Sequence, residues 1–277
     1  MRHSYGYLPD RPDPRDFTFR AVQKVEQLPP EVDLREYCSP VRDQGQLGSC
    51  TAFSMGTGLR EFMLIKSNPI PPDPPDTCLT KLVKQSLIRK LFSLDYAVLS
   101  PLFLYYEERV LEGTVNEDSG ASMRDGMKVL ANTGICPEVN WPYVINKFKI
   151  EPPDLAYQNA LNYKISVYSR LYSLTDMKSA LATQQGVVFG FNVYESFESD
   201  EVARTGNMPM PQHGERILGG HAVFICGYRD DETWPGGGYL IIKNSWGTNW
   251  GDKGFFYMPY AFASNPVDVN DIWTASV

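Results

Sequence analysis

The chain is poor in the residues that build covalent or metal frameworks. Five cysteines (Cys38, Cys50, Cys78, Cys136 and Cys226) are spread over 277 residues, so no dense disulfide scaffold is expected, and one thiol stays unpaired if the others bridge. No two have C-x2-C spacing, which argues against zinc, and only three histidines are present. Hydrophobic runs are short. None approaches the roughly eighteen apolar residues a membrane-spanning helix requires. The opening MRHSYGYLPDRPDPRDFTFR contains no apolar leader region, so no Sec-type signal is expected in the chain as given, and the compartment stays open between cytoplasmic and leaderless export. Strong charge is missing as well. A net charge of −7, spread along the sequence, argues against a nucleic-acid partner.

What is present suits a folded enzyme. With 43% hydrophobic and 21% charged residues, the chain can bury a sizeable core, as one large unit or two packed lobes. Residues 1–27 form an arm that Pro9, Pro12 and Pro14 make extended and stiff, while Tyr5, Tyr7, Phe17 and Phe19 give it something to bury. The stretch SNPIPPDPPDT, residues 67–77, ends one helix and imposes a polyproline-like loop. Helical spacing follows in 79–92 and again in PLFLYYEERVL, 101–111, where Pro101 after Ser100 marks a start. From about Tyr163 the pattern turns to strands, with a short helix near Thr175 to Gln184. WPGGG at 234–238 reads as a hairpin loop, and DIWTASV as a closing strand. The polar connection 195–218 is expected to lie over the surface near the cleft.

One stretch carries the chemistry. In PVRDQGQLGSCTAFS, residues 40–54, Cys50 opens a helix that apolar spacing extends to about Lys66, with Gly48 and Ser49 as turn and N-cap. Unpaired N–H groups and the positive dipole end there favour a thiolate. Gln44 is placed to offer its side-chain amide to an oxyanion beside the Cys50 N–H. The competing reading is an inert core cysteine. Two later stretches favour the first: GGHAVFICGY, 219–228, puts His221 at the mouth of a buried strand, and YLIIKNSWGTNWGDKGFFY, 239–257, ends another strand at Asn244. A thiol nucleophile needs a base that takes and returns its proton, and that base needs a group fixing its tautomer. His213 sits in the polar connection and His3 in the arm, and both are weaker candidates for the base.

QGQLGSCTAFS, GGHAVFICGY and KNSWGTNWGDKGFF together resemble the papain-like cysteine peptidases, and the resemblance runs from about Leu28 to the C-terminus. It implies an α+β, two-lobe fold, with a mainly helical lobe (28–160) packed on an antiparallel β-barrel-like lobe (161–277) and a cleft between them. It implies an endopeptidase with Cys50 as nucleophile, His221 as general base and acid, Asn244 orienting His221, Gln44 in the oxyanion hole and Trp246 shielding the His221–Asn244 contact. Gly120 matches the glycine whose backbone pairs with substrate. Ala121, Ser122, Gly220 and Ala222 fall at substrate-binding positions, and the small side chains at 121 and 122 imply a wide second specificity pocket. Peptide or protein substrates are implied, with no metal and no organic cofactor, and the chain is expected to be a monomer.

Some positions depart from the pattern. Leu47 stands where a half-cystine is usual and Thr51 where an aromatic residue follows the nucleophile, which removes one disulfide and shrinks one cleft wall. Cys38 and Cys78, in loop-like sequence, are the pair that could still bridge, while Cys226 reads as core. His221 and Asn244 lie further from Cys50 than the roughly 130 to 150 residues usual in such enzymes, so insertions are expected. Two alternatives keep the residues and change the outcome: a thiol acyl-transferase or deamidase, and a peptide-binding pseudoenzyme. The arm, residues 1–27, precedes the mature-like start and is expected to act as a short pro-segment that blocks the cleft, crossing Cys50 in reverse or with a proline at the scissile position; the alternative is a flexible arm, or one stapled to the β lobe far from the cleft.

Overall fold

The computed structural model describes residues 3–19, 27–67 and 98–277. The expected helix at 79–92, most of the proline-rich stretch 67–77, and Cys78 lie outside them. So does any bridge from Cys38 to Cys78; Cys38, Cys50, Cys136 and Cys226 are free thiols.

Alternation and β-branched residues in the second half of the chain build one antiparallel sheet. Its strands are β4 (Val167–Leu171), β5 (Val187–Tyr194), β6 (Ile217–Asp230), β7 (Gly238–Lys243), β8 (Phe255–Pro259) and β9 (Val269–Ser276), in the order β4-β9-β5-β6-β7-β8. The long strand β6 also pairs with β2 (Glu31–Asp33). The path runs from one edge strand to another, and β2, from the residues expected to be mainly helical, joins the sheet through β6.

The helical layer packs on this sheet. The central helix begins at Cys50–Ala52, passes through a π-helical stretch, Phe53–Arg60, and ends as Glu61–Ser67. Beside it lies Pro101–Glu112, begun as the sequence suggests: the Ser100 side chain accepts from the Phe103 N–H at 3.1 Å, and Gly113 closes the helix in a left-handed conformation. A third helix, Met123–Asn132, starts where Ser122 caps the Asp125 N–H. The aromatic side chains Phe189, Phe191, Phe224, Phe256 and Trp273 are fully buried in the core these layers share.

Close approach of the layers is set by glycine. A Cβ at Gly58 would stand 2.5 Å from the Phe224 Cβ on β6, so the helix can lie on the sheet only without a side chain there. A buried cation also joins the layers: Lys243, at the end of β7, donates to Ser39 Oγ at 2.8 Å and to the Thr57 carbonyl at 2.8 Å. Gly58→Ala gains up to about 1 kcal/mol of helix propensity but forces an overpacked contact costing about 1–3 kcal/mol. The expected result is a net loss of stability of up to about 2 kcal/mol, read from denaturant unfolding midpoints.

Candidate active site

Cys50 heads the central helix with its side chain fully buried. Ser49 does not cap that helix through its side chain, as expected from sequence; its hydroxyl bonds the Tyr143 hydroxyl at 2.7 Å instead. The sulfur receives the backbone N–H groups of Ala222 and Gly6. Ala222 follows His221 on β6, the strand that packs against the head of the central helix. His221 Nε2 lies 2.8 Å from Asn244 Oδ1. That oxygen also accepts the Ser245 N–H at 2.8 Å, which identifies it as the acceptor and requires the proton on Nε2. Nδ1, buried and without a hydrogen-bond partner, is left as the basic nitrogen. Trp246 stacks on His221 at 4.8 Å between ring centroids, covering the Asn244 contact from one side.

Gln44 is fully buried and held by a residue that sequence reasoning passed over. Ser245 Oγ donates to Gln44 Oε1 at 2.6 Å, and the Gln44 N–H donates to the Ser245 carbonyl at 2.9 Å. The amide nitrogen therefore points toward Leu47 O (3.0 Å) and Ser4 O (3.2 Å). Thr51 turns inward and donates to Glu108 Oε2 at 2.7 Å, so it forms no cleft wall. Burial raises the Glu108 carboxyl well above the usual range.

Ser4 and Gly6 belong to the N-terminal arm, which lies across the site. Strand β1 (Tyr7–Leu8) pairs in parallel with β3 (Ala121–Ser122), and the Ala121 N–H donates to Gly6 O at 2.7 Å. Gly120, at φ +74, has no room for a side chain, because a Cβ there would meet Gly6 O at 2.2 Å. Gly220 meets Tyr7 in the same way, its Cβ position 2.7 Å from Tyr7 O. His3 stacks on Trp246 at 3.8 Å, and His3 Nδ1 lies 3.0 Å from Glu198 Oε2. Glu198 also accepts from the Tyr5 hydroxyl. The connection 195–218 forms two short helical turns, buries Phe197 and supplies this clamp through Glu198. His213 is exposed on the same connection.

Beyond Leu8 the arm is held by ions. Asp16 accepts from Arg124 (2.7 Å) and Arg170 (3.0 Å), Asp10 accepts from the Arg124 N–H (3.1 Å) and Trp273 Nε1 (3.2 Å), and Thr18 bridges to Arg170 on β4. None of these carboxylates carries a sequence signature.

Covering the site reverses the expected state of the thiol. Burial pushes Cys50 up to about 11, overriding the three N–H groups that favour the thiolate, and pushes His221 down to about 4. Both groups are therefore neutral while the arm is in place.

A buried thiol at a helix head packed on the strand that carries an imidazole whose tautomer an amide fixes, with a locked amide donor and an extended segment of chain laid across them, is the arrangement of a thiol-dependent hydrolase on an α+β fold. The family model for papain family cysteine proteases (Peptidase C1) matches residues 112–270, a span that contains His221 and Asn244 but not Cys50. An uncharacterised peptidase C1-like protein of Acanthamoeba polyphaga mimivirus is 33% identical over 99% of this chain and 86% of its own length. Peptidase 1 of Dermatophagoides farinae is 26% identical, and the chain spans 60% of its length. Among solved structures, xylellain, a cysteine protease from Xylella fastidiosa, superposes with a TM-score of 0.81 at 36% identity, covering 100% of this chain and 98% of that one. Digestive procathepsin L 3 of Tenebrio molitor shares the fold at a TM-score of 0.62 and 18% identity. The chain belongs to the papain family of cysteine proteases.

Gly6→Val in the full-length protein should dislodge the arm, because a Cβ at Gly6 would lie 1.7 Å from Gly48 O. The measurement is Cys50 alkylation by iodoacetamide against pH. The native chain is expected to react appreciably only as pH climbs toward 11. The variant's profile moves to lower pH, and every whole pH step of that movement gives about tenfold more thiolate at neutral pH. Identical profiles for the two proteins would mean that the arm does not set the state of the thiol.

Proposed function

We propose that the protein is a self-covered peptidase in which Cys50 attacks a peptide carbonyl, His221 moves the proton, Asn244 orients His221, and Gln44 with the Cys50 N–H holds the oxyanion. The observation that carries this reading is the hydrogen bond between His221 and Asn244 beside a thiol that the N-terminal arm covers. With Nε2–H committed to Asn244, His221 Nδ1 takes the thiol proton and later delivers it to the leaving amine. The Ser4 carbonyl lies against the Gln44 amide, where the resemblance puts a developing oxyanion.

The arm, residues 1–27, is the blocker. Its strand β1 runs parallel to β3, and the Gly6 N–H faces the sulfur. A strand laid in this direction supports the reading that the segment fills the cleft without being cut. Tethering strengthens it, since a short linker holds a weak ligand at about millimolar effective concentration. Its length is no obstacle. At roughly 3.3 Å per extended residue, six residues span about 20 Å.

Cys50→Ala is expected to fold and to lose all peptide turnover; turnover in that variant would move the nucleophile elsewhere. Measured in a Gly6→Val background, His221→Ala should cost more than Asn244→Ala, because proton transfer is worth roughly 10²- to 10⁴-fold while Asn244 acts through His221. Gln44→Ala should lower kcat by about 10²- to 10³-fold. An unchanged kcat would make Gln44 a structural residue.

A further inference from the structure

Peptide hydrolysis at Cys50 leaves two other thiols without a role, Cys38 and Cys226, and the sheet brings them together. At Cys226 the register of β6 against β7 slips, so this residue is paired with no residue of β7; its carbonyl accepts the Leu34 N–H at 2.8 Å instead. Cys38 folds back on the same residue, its sulfur 3.9 Å from Leu34 O. Anchored on one residue of the segment that follows β2, the two thiols stand within hydrogen-bonding reach of each other.

The pair is unequal. Cys38 is half-buried, whereas Cys226 is fully buried and its S–H can donate either to the Ile241 carbonyl, 3.6 Å away, or to the Cys38 sulfur. Three charged side chains act on Cys38: Lys243, Asp33 and Arg35. Asp33 and Arg35 pair with each other at 2.6 Å and largely cancel, which leaves the Lys243 ammonium. The hydrogen bond from Cys226 first, and then Lys243, outweigh burial and hold the Cys38 thiol below its usual range, while burial pushes Cys226 well above it. A cation beside the pair repels a metal ion and favours a thiolate. A partly accessible, acidified thiol next to a neutral one that can resolve it is the arrangement that reduces a peroxide.

We propose that Cys38 and Cys226 form a redox modification site, separate from Cys50, that consumes a peroxide and closes to a disulfide. The Cys38 thiolate attacks one peroxide oxygen: an S–O bond forms, the O–O bond breaks, and the departing oxygen takes up the proton that Cys38 released, leaving as water or an alcohol. The Cys226 sulfur then attacks the sulfenic sulfur: the S–S bond forms, the S–O bond breaks, and the hydroxide leaves with the Cys226 proton as water. The two thiols supply the two electrons that the peroxide gains. The bridge fastens the segment after β2, whose strand pairs with β6 through only Glu31–Asp33, to the middle of the sheet, and it closes a loop that contains both Cys50 and His221. Both cysteines lie outside residues 1–27, so the bridge does not depend on the arm.

The test treats the reduced, full-length protein with hydrogen peroxide in slight molar excess, alkylates the remaining thiols with iodoacetamide under denaturing conditions, and maps linked peptides by mass. The expected product is a peptide pair joining Cys38 to Cys226 that dithiothreitol separates. The oxidised protein should also show a Tm higher by about 5–10 °C, since a crosslink closing a long loop stabilises most. Cys226→Ser should leave Cys38 as a sulfenic acid that dimedone traps, Cys38→Ser should leave Cys226 reduced, and neither variant should gain in Tm on oxidation. If either variant fails to fold, the peptide map of the native chain still decides. Cys38 and Cys226 both alkylated after Cys50 has been oxidised, Cys38 linked to a different cysteine, or Cys38 stopping at the sulfenic acid in the native chain would each overturn the site.

Discussion

The cleft is closed by a contact between backbones. Gly6 of the arm lies against Gly48 before the catalytic helix and Gly120 before β3, and a side chain on Gly6 or Gly120 would overlap main-chain atoms of its neighbour. Only glycine lets an extra strand sink this far, and the rest of the site follows from that depth. The Gly6 N–H reaches the sulfur, the Ser4 carbonyl reaches the Gln44 amide, and water is shut out from Cys50 and His221 together.

Exclusion of water then sets the charges. A helix start and the Ala222 N–H both favour a thiolate at Cys50, but a buried anion without a solvated or cationic partner costs more than those dipoles return, so the thiol stays protonated. The imidazole is disfavoured as a cation for the same reason. In the proposed reading the arm acts twice, once as an obstacle and once as a low-dielectric cover over Cys50 and His221, both of which burial holds neutral. At the other end of the arm, burial and the neighbouring Asp271 charge raise the Asp10 carboxyl to about 6, so part of the ionic hold is made from groups that oppose one another.

How much of this was legible in the sequence depended on range. Cys50, His221, Asn244, Gln44 and Trp246 stand in short motifs whose residue types and spacing state a chemistry, and Ser100, Pro101 and Gly113 mark helix ends by local backbone preference. The aromatic content of the arm likewise announced that it had something to bury. What could not be read was partnership across long separations: Tyr7 with Asp271, His3 with Glu198, Asp16 with Arg124 and Arg170, and Ser245 with Gln44. Each is an ordinary polar residue in its own neighbourhood and acquires a role only when the sheet brings distant segments together. The raised Cys50 thiol escaped because a helix terminus is a local feature, while the cover that overrides it arrives from over forty residues away.

Lys243, the residue before Asn244, constrains how such a cleft can move. Its buried ammonium, with its pKa lowered by desolvation, is tied to Ser39 and, through the Thr57 carbonyl, to the middle of the central helix. Prising the layers apart would break those two bonds and leave a bare cation in an apolar seam, a steep penalty compared with lifting a strand off a surface. The molecule is therefore a lock whose case is riveted. Access is a matter of peeling a tethered ribbon from a rigid groove, and its rate belongs to the arm's detachment rather than to any hinge between lobes.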